Sequence, residues 1–254
     1  MAATDSSQYE EILIESSTNK NKTVDLRVGV QAFEYFEDVL SPTITAKLLI
    51  TNTGNTINGQ SIYQGLPLRG GERVSIKIKG NSDKNPGLDF SEDGKQFYVS
   101  SISNVISGDQ QESFVLNLCS REAITNETSR VPVKFPTSSP ISASAEEIIK
   151  KYLVTSKNVD VDPTTNKYGF IGNMKKPFNL ITWLASKSVS GLAKPAEDSS
   201  AGYVFFETKD GFNFMSLDML MESEPYVQNY TFTPGVMSTD DPNKDFKILT
   251  YATN

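Results

Sequence analysis

Glu34, Glu37 and Asp38 lie within five residues of one another. A pair of carboxylates can hydrolyse a glycosidic bond when one is held protonated and the other ionised. Here the three acids flank Tyr35 and Phe36 just before Ser41-Pro42. The competing reading is a solvated acidic strand edge or an interface rim, and the pattern favours that reading. Asp240, Asp241, Asn243 and Asp245 suggest calcium, but the spacing lacks the central glycine and closing glutamate of an EF-hand loop. Asp-Asp-Pro-Asn is ordinary turn chemistry. Asp160 and Asp162 are read in the same way.

Other catalytic arrangements find less support. The chain has no histidine, which removes the commonest general base and metal ligand and makes a Ser-His-Asp triad impossible. The single Cys119 follows an alternating apolar run and reads as a buried strand-end thiol. One cysteine allows no intrachain disulfide and no cysteine-based zinc site. Gly54–Gly59 and Gly65–Gly71 lack the Gly-Lys-Ser/Thr that would hold a nucleotide phosphate. Ser186 and Lys187 are adjacent on an expected helix, so their side chains diverge. The sequence therefore points to no catalytic residue, no metal and no cofactor. The remaining function classes are those that work by shape and association.

Composition supports that direction. The formal charge is −7 over 254 residues, which disfavours non-specific binding to phosphate. An acidic wall would instead let DNA pass without sticking. Aromatic residues make up 10% of the chain, mostly Phe and Tyr, which suit sheet surfaces and subunit contacts. The N-terminal residues MAATDSSQYEE show neither the basic nor the apolar region of a signal peptide. No apolar run approaches membrane-spanning length. The Asn-x-Thr triplets at Asn21, Asn126 and Asn229 read as chance in a Thr/Asn-rich chain.

The elements that would position these residues are mainly strands. A short strand is expected at Glu11–Ile14. Val24–Val30 alternates with period two, as do Arg73–Lys79, Phe97–Val105 and Ser113–Cys119. Thr43–Thr51 completes this set, with Gly80–Lys95 as a long polar excursion carrying Asn85-Pro86-Gly87 and Asp93-Gly94 turns. Together they make an antiparallel barrel or sandwich. Ser120–Ala143 reads as a linker or a surface-hugging connection. A helix is then expected from a Ser144/Glu147 capping box, with Ile148, Ile149, Tyr152 and Leu153 on its apolar face. A second opens at Pro177 and stops near Gly191, its Trp183-bearing stripe packing on the hairpin after it. In that hairpin, Tyr203–Thr208 and Phe212–Leu217 flank Lys209-Asp210-Gly211, and Tyr230–Thr233 and Phe246–Tyr251 read as further strands. The expected fold class is mainly β (α+β): a first β-barrel over 1–120, a linker and two-helix insertion over 121–200, and a second, incomplete barrel over 201–254.

Five segments in this order carry a resemblance: FEYFEDVLSPTITAKLLI, GLPLRGGERVSIKI, SAEEIIKKYL, GFIGNMKKPFNLITWLASKSVS and AGYVFFETKDGFNFMSLDML. The chain resembles the central baseplate hub of contractile-tailed, T4-like phages of the cyanophage type, with the type VI secretion spike as a more distant relative. The resemblance spans roughly Tyr9 to Leu220. It implies a virion structural protein of two tube-like barrels with a helical insertion, assembled in the bacterial cytoplasm. Such hubs are homotrimeric rings joining the hexameric tail tube to the trimeric spike, meeting other baseplate proteins, and passing DNA without binding it specifically. It implies no catalysis and no membrane insertion. Candidate interface residues are Phe33, Tyr35, Phe36, Leu66, Pro67 and Leu68, with core burial the competing use of Phe33 and Phe36. This chain departs from the family in having few strands after Met221: either it is a compact member, or a neighbour completes its second barrel. Two alternatives stay open. One is a tail-tube or tube-initiator subunit; the other is a carbohydrate-binding or glycoside-hydrolysing tail-fibre domain.

Overall fold

The computed structural model describes residues 8–18, 22–53, 62–82, 85–108, 111–191, 202–224, 229–232 and 245–248. The first half is one eight-stranded sheet. Its strands are β1 (Gln8–Glu15), β2 (Thr23–Asp25), β3 (Val30–Phe36), β4 (Thr45–Thr53), β5 (Arg73–Ser82), β6 (Asn85–Phe90), β7 (Phe97–Ser107) and β8 (Gln111–Ser120), with a one-turn helix α1 (Ile62–Gly65) between β4 and β5. The order across the sheet is β2-β1-β5-β7-β8-β4-β3, with β6 also on β5, and every pairing is antiparallel.

Period-two alternation creates this sheet's core. In β8, Phe114, Leu116 and Leu118 are buried while Val115, Asn117 and Cys119 face outward. Ile12, Ile14, Leu48, Ile50, Val74, Ile76, Phe90 and Phe97 join them from neighbouring strands in one cluster. The two ends of the sheet, β2 and β3, are consecutive in sequence. The expected single strand Val24–Val30 is broken by a turn at residues 27–29, where the Gly29 N–H donates to the Leu26 carbonyl. That bend lets the first part pair with β1 and the second with β4. The sheet is therefore strongly rolled, but β2 and β3 are not paired to each other and no closed barrel forms among the described residues.

The second half alternates helices with short strands. It contains α2 (Arg121–Thr128), β9 (Lys134–Phe135), α3 (Ile141–Tyr152), β10 (Asn158–Val161), β11 (Phe170–Ile171), α4 (Pro177–Ala185), β12 (Tyr203–Thr208), β13 (Gly211–Ser216) and α5 (Leu217–Glu222). The strands form a three-stranded sheet, β10-β13-β12, and a separate β9-β11 pair. Helices α3 and α4 pack on each other and on this sheet. Ile148, Ile149, Leu180, Ile181, Leu184, Phe205, Phe212 and Phe214 form a second core. β14 (Asn229–Phe232) and β15 (Asp245–Ile248) make a parallel pair of their own.

Several expectations are corrected. Ser120–Ala143 is not a linker: α2 runs straight out of β8, and its buried Asn126 accepts the Phe178 N–H at 2.8 Å, tying it to α4. Helix α3 begins at Ile141, so Ser144 sits inside it with a buried, unpartnered hydroxyl, and Glu147 pairs with Lys151 instead of capping. Pro140 supplies the extended N-cap backbone. The Gly80–Lys95 excursion is largely ladder, because β5 continues into it and β6 folds back on β5. The acidic-aromatic stretch at Phe33 is strand β3. Helix α4 ends at Ala185, before Gly191. No second barrel is formed among the described residues: the strands after residue 200 belong to a three-stranded sheet backed by helices and to one isolated pair. Gly54–Gly59, residues 194–201, Asp240, Asp241 and Asn243 lie outside the described residues.

Candidate functional site

Strand register decides what each candidate residue does. In β3, Phe33 lies opposite Leu48 and Tyr35 opposite Ala46, both on the core side of β4. Phe33 and Tyr35 are accordingly half-buried against the first core. The Tyr35 ring lies 5.4 Å from Phe90, and its hydroxyl donates to Glu37 at 2.5 Å. Burial, reinforced by the Glu37 carboxylate, holds the Tyr35 phenol far above its ordinary range. Phe36 and Glu34 take the opposite parity and face outward. Lys47 stands opposite Glu34 in register and places its ammonium 5.5 Å from the Phe36 ring centroid.

The second group divides similarly. Leu66 and Leu68 are 0% and 6% exposed within the first core, and only Pro67 between them is exposed. The buried Glu72 fixes this loop by accepting the N–H groups of Arg69 and Gly70 at 2.8 and 2.9 Å. Leu66 and Leu68 thus make their contacts inside the chain. Phe36 and Pro67 are the exposed members of the candidate set.

The carboxylates that could have served catalysis are not arranged as an acid/base pair. Glu37 also accepts the Lys209 N–H at 2.6 Å, and Asp38 accepts the Leu40 N–H at 2.8 Å in the β3–β4 turn. Cys119 is half-buried, and burial pushes its thiol up to about 11, so it is not a thiolate at neutral pH. Among the described residues no group of three or more His, Cys, Asp or Glu could hold a metal ion. No helix among them is long and apolar enough to cross a membrane.

Beside Phe36, the outward face of β3, β4, β8 and β7 forms a shallow concavity of about 340 Å³. Ala32, Leu49, Val115, Ser103 and Asn117 contribute to it, together with the Glu34–Lys47 pair. Asn117 donates to the hydroxyls of Ser101 and Ser103 at 3.1 Å each. The face offers hydroxyls, amides and small apolar groups, with one carboxylate opposite one ammonium. The register shift in β7 between Ser103 and Ile106 includes the left-handed residue Asn104 and shapes one wall.

A charged cluster joins the two halves. The Lys157 side chain, 4% exposed, donates to Glu122 at 2.9 Å and to Glu207 at 2.5 Å, and both carboxylates are fully buried. Glu207 also accepts the Ile44 N–H at 3.1 Å from the start of β4. Glu122 lies on α2, Lys157 just before β10, and Glu207 on β12. The cluster therefore ties the rolled sheet to the α/β half. Residue-type patterns alone do not flag it, because its members are 35 and 50 residues apart. One signal is available: Glu207 falls on the buried parity of Tyr203 and Phe205 in β12.

Desolvation raises the Glu207 carboxyl above its ordinary value, against the opposing pull of Lys157. A carboxyl raised on folding takes up a proton on folding. Its contribution to stability is therefore greatest below the unfolded value of about 4.3 and declines as pH rises through the folded value. Glu207→Gln keeps an oxygen for the Ile44 N–H and removes the ionisation. Urea unfolding between about pH 4 and 8 is expected to show a flatter stability profile above pH 4.3 for the variant. Identical slopes for the two proteins would refute this role for Glu207.

Comparison with solved structures places this architecture. It shares its fold with a 43 kDa tail protein of prophage MuSo2 from Shewanella oneidensis, with a TM-score of 0.51 and 12% identity over 81% of this chain and 54% of that one. A tail protein from Neisseria meningitidis MC58 aligns with a TM-score of 0.48 and 10% identity over 92% of this chain and 56% of that one. An Escherichia coli type VI secretion component, c3393, described as structurally similar to the T4 tail proteins gp27 and gp5, aligns with a TM-score of 0.48 and 9% identity over 89% and 52%. The chain spans about half the length of these structures. No family model matches the sequence, and no curated protein does. The fold shared with the MuSo2 tail protein is in keeping with the resemblance seen in the sequence.

Proposed function

We propose that this protein is a structural subunit of a phage-tail baseplate, acting as the central hub. Three copies form a collar that joins the hexameric tail tube to the trimeric spike, contacts other baseplate proteins, and becomes a conduit for DNA. The protein works in the virion without catalysis. The observation that carries this reading is the fold shared with the MuSo2 tail protein over four-fifths of the chain. The site geometry adds support. The acids that could have formed a catalytic pair hold turns and backbone, while the rolled sheet presents a mixed apolar and hydroxyl face. A wall of that kind, with Lys47 set opposite Glu34 and no lysine stripe, gives phosphates little to hold.

Light scattering of the purified protein across a concentration series tests the reading. The expected species has the mass of three 28.0 kDa chains and shows a threefold ring with an open centre by electron microscopy. A protein that stays monomeric at every concentration would overturn it.

A further inference from the structure

Strand register lays out a grid on the outward face of β3, β4, β8 and β7. Glu34, Lys47, Asn117 and Ser101 are successive cross-strand partners, so they form one row running across all four strands. Ala32, Leu49, Val115 and Ser103 form the adjoining row in the same way. With strands about 4.8 Å apart, the polar row is about 14 Å long. All of these residues except Ser101 line the concavity of about 340 Å³, and the left-handed, exposed Asn104 closes its β7 side. That volume lies at the lower end of the range for small-ligand sites, about 300–1,000 Å³.

The polar row does not satisfy itself. Opposite charges directly across a strand pair ordinarily attract one another. Here no ion pair or hydrogen bond joins Glu34 to Lys47, and the Lys47 ammonium sits 5.5 Å from the Phe36 ring centroid instead. Among the described residues Glu34 has no other donor. Asn117 directs its amide N–H groups to the Ser101 and Ser103 hydroxyls at 3.1 Å each. Its side-chain oxygen accepts nothing from a described residue, and the two hydroxyls keep their own protons to donate. Beside this row, Leu49 is 38% exposed, and with the half-buried Ala32 and Val115 it makes a small apolar floor.

A ligand matching this surface carries hydroxyls along one edge and C–H groups on one face. A hydroxyl both donates and accepts, so a row of them can meet a carboxylate, an ammonium and an amide oxygen in turn. We infer that the concavity binds a neutral saccharide, with its hydroxyls on Glu34, Lys47 and Asn117 and a ring face on Leu49 and Val115. Neutrality follows from the charges, because the one ammonium is offset by the one carboxylate and neither an anion nor a cation gains. A wholly apolar ligand would cover Glu34 and Lys47 without giving either a partner. The face gives phosphates little to hold, but hydroxyls need no net charge. The open shape and small floor set a weak affinity, with a dissociation constant of about 1 mM for one sugar ring. This site goes beyond the collar reading and does not depend on it.

Saturation-transfer NMR on the full-length protein tests it, with the methyl glycosides of glucose, galactose, mannose and N-acetylglucosamine, each raised to about 50 mM, well above the expected constant. At least one is expected to bind saturably, and added salt should leave that binding unchanged because the ligand carries no charge. Glu34→Ala is expected to weaken it about tenfold, the loss of a hydrogen bond to a charged group. Leu49→Arg, which fills the concavity, is expected to abolish it. Both side chains are exposed, so circular dichroism should show both folds unchanged. No saturable binding of any of the four sugars would overturn the inference, as would binding undiminished in both variants. Sedimentation velocity supplies the competing outcome. A wild type that self-associates, binds no sugar and is dispersed by Leu49→Arg would assign this face to a second copy and overturn it too. A protein that stays monomeric yet binds a sugar at this face would overturn the collar alone.

Discussion

Lys157→Ala is expected to destabilise the protein by about 3–5 kcal/mol, the range found when one partner of a buried ion pair is removed. The reason is electrostatic. Glu122 and Glu207 have no exposed surface, and the Lys157 ammonium at 2.9 and 2.5 Å compensates both. Without it, two carboxylates stay close together out of water, and one must take up a proton to lower the repulsion. Chemical denaturation at neutral pH measures the loss. The triple variant Lys157→Met, Glu122→Gln, Glu207→Gln is expected to recover most of it, because uncharged groups of similar volume carry no desolvation penalty. Lys157→Ala with wild-type stability would mean that the cluster is hydrated in solution. If the triple variant were as unstable as Lys157→Ala, lost packing, and not unpaired charge, would account for the effect. Because the cluster joins α2, β10 and β12 to the start of β4, the loss should also loosen the junction between the halves, seen as faster hydrogen exchange at Ile44, whose N–H is held by Glu207.

Leu66→Ala is expected to lower stability by about 2–5 kcal/mol, the range for truncating a buried leucine. Leu66 is fully buried among the first core's side chains, and its N–H donates to Ile62 in α1 at 3.1 Å. Truncation leaves a cavity that the surrounding sheet only partly collapses, so the loss exceeds simple transfer of the removed atoms. Pro67→Ser, one residue away and exposed, is expected to stay within about 0.5 kcal/mol of the wild type. The distinction separates core packing from subunit contact as the use of this loop. A core role gives Leu66→Ala a loss in urea unfolding that is independent of protein concentration. Unfolding unchanged at low concentration, with assembly impaired, would return Leu66 to the subunit contact.

Much of the architecture is legible because side-chain alternation is a local signal. Phe114, Leu116 and Leu118 alternate with Val115, Asn117 and Cys119, and that pattern alone places β8 half-buried in a sheet. Pro177 marks the first residue of α4, since it fits a helix start where its missing N–H costs nothing. The Lys209-Asp210-Gly211 turn sets the β12–β13 hairpin, with Gly211 at φ +144° and a Cβ there meeting the Asn158 carbonyl oxygen at 2.2 Å. The parity of β3 divides its own candidates. Phe33 and Tyr35 share one face and Glu34 and Phe36 the other, so of the three aromatics only Phe36 is exposed. The start of α3 is harder to place for a complementary reason. A serine and a glutamate three apart satisfy the capping pattern anywhere along a chain, and nothing local says that the preceding Pro140 has already begun the helix.

The sequence by itself determined the class of protein: mainly β, built without histidine, with a single cysteine and no residue pattern for bond-breaking chemistry. Its ordered segments also pointed to a tail-protein fold. Only the tertiary structure decided which residues meet. Leu66 and Leu68 turn inward because the Glu72 carboxylate fixes their loop over the core. Lys157 finds Glu122 and Glu207 because α2, β10 and β12 converge on the end of the rolled sheet. Tyr168, Phe170 and Trp183 meet because β9 pairs with β11 and lays the inward Phe170 against α4. The physical reason is one of range. Strand and helix periodicity is set by neighbours two to four residues away, whereas burial of a charge or gathering of a patch depends on segments tens of residues apart, whose placement only the packed cores fix.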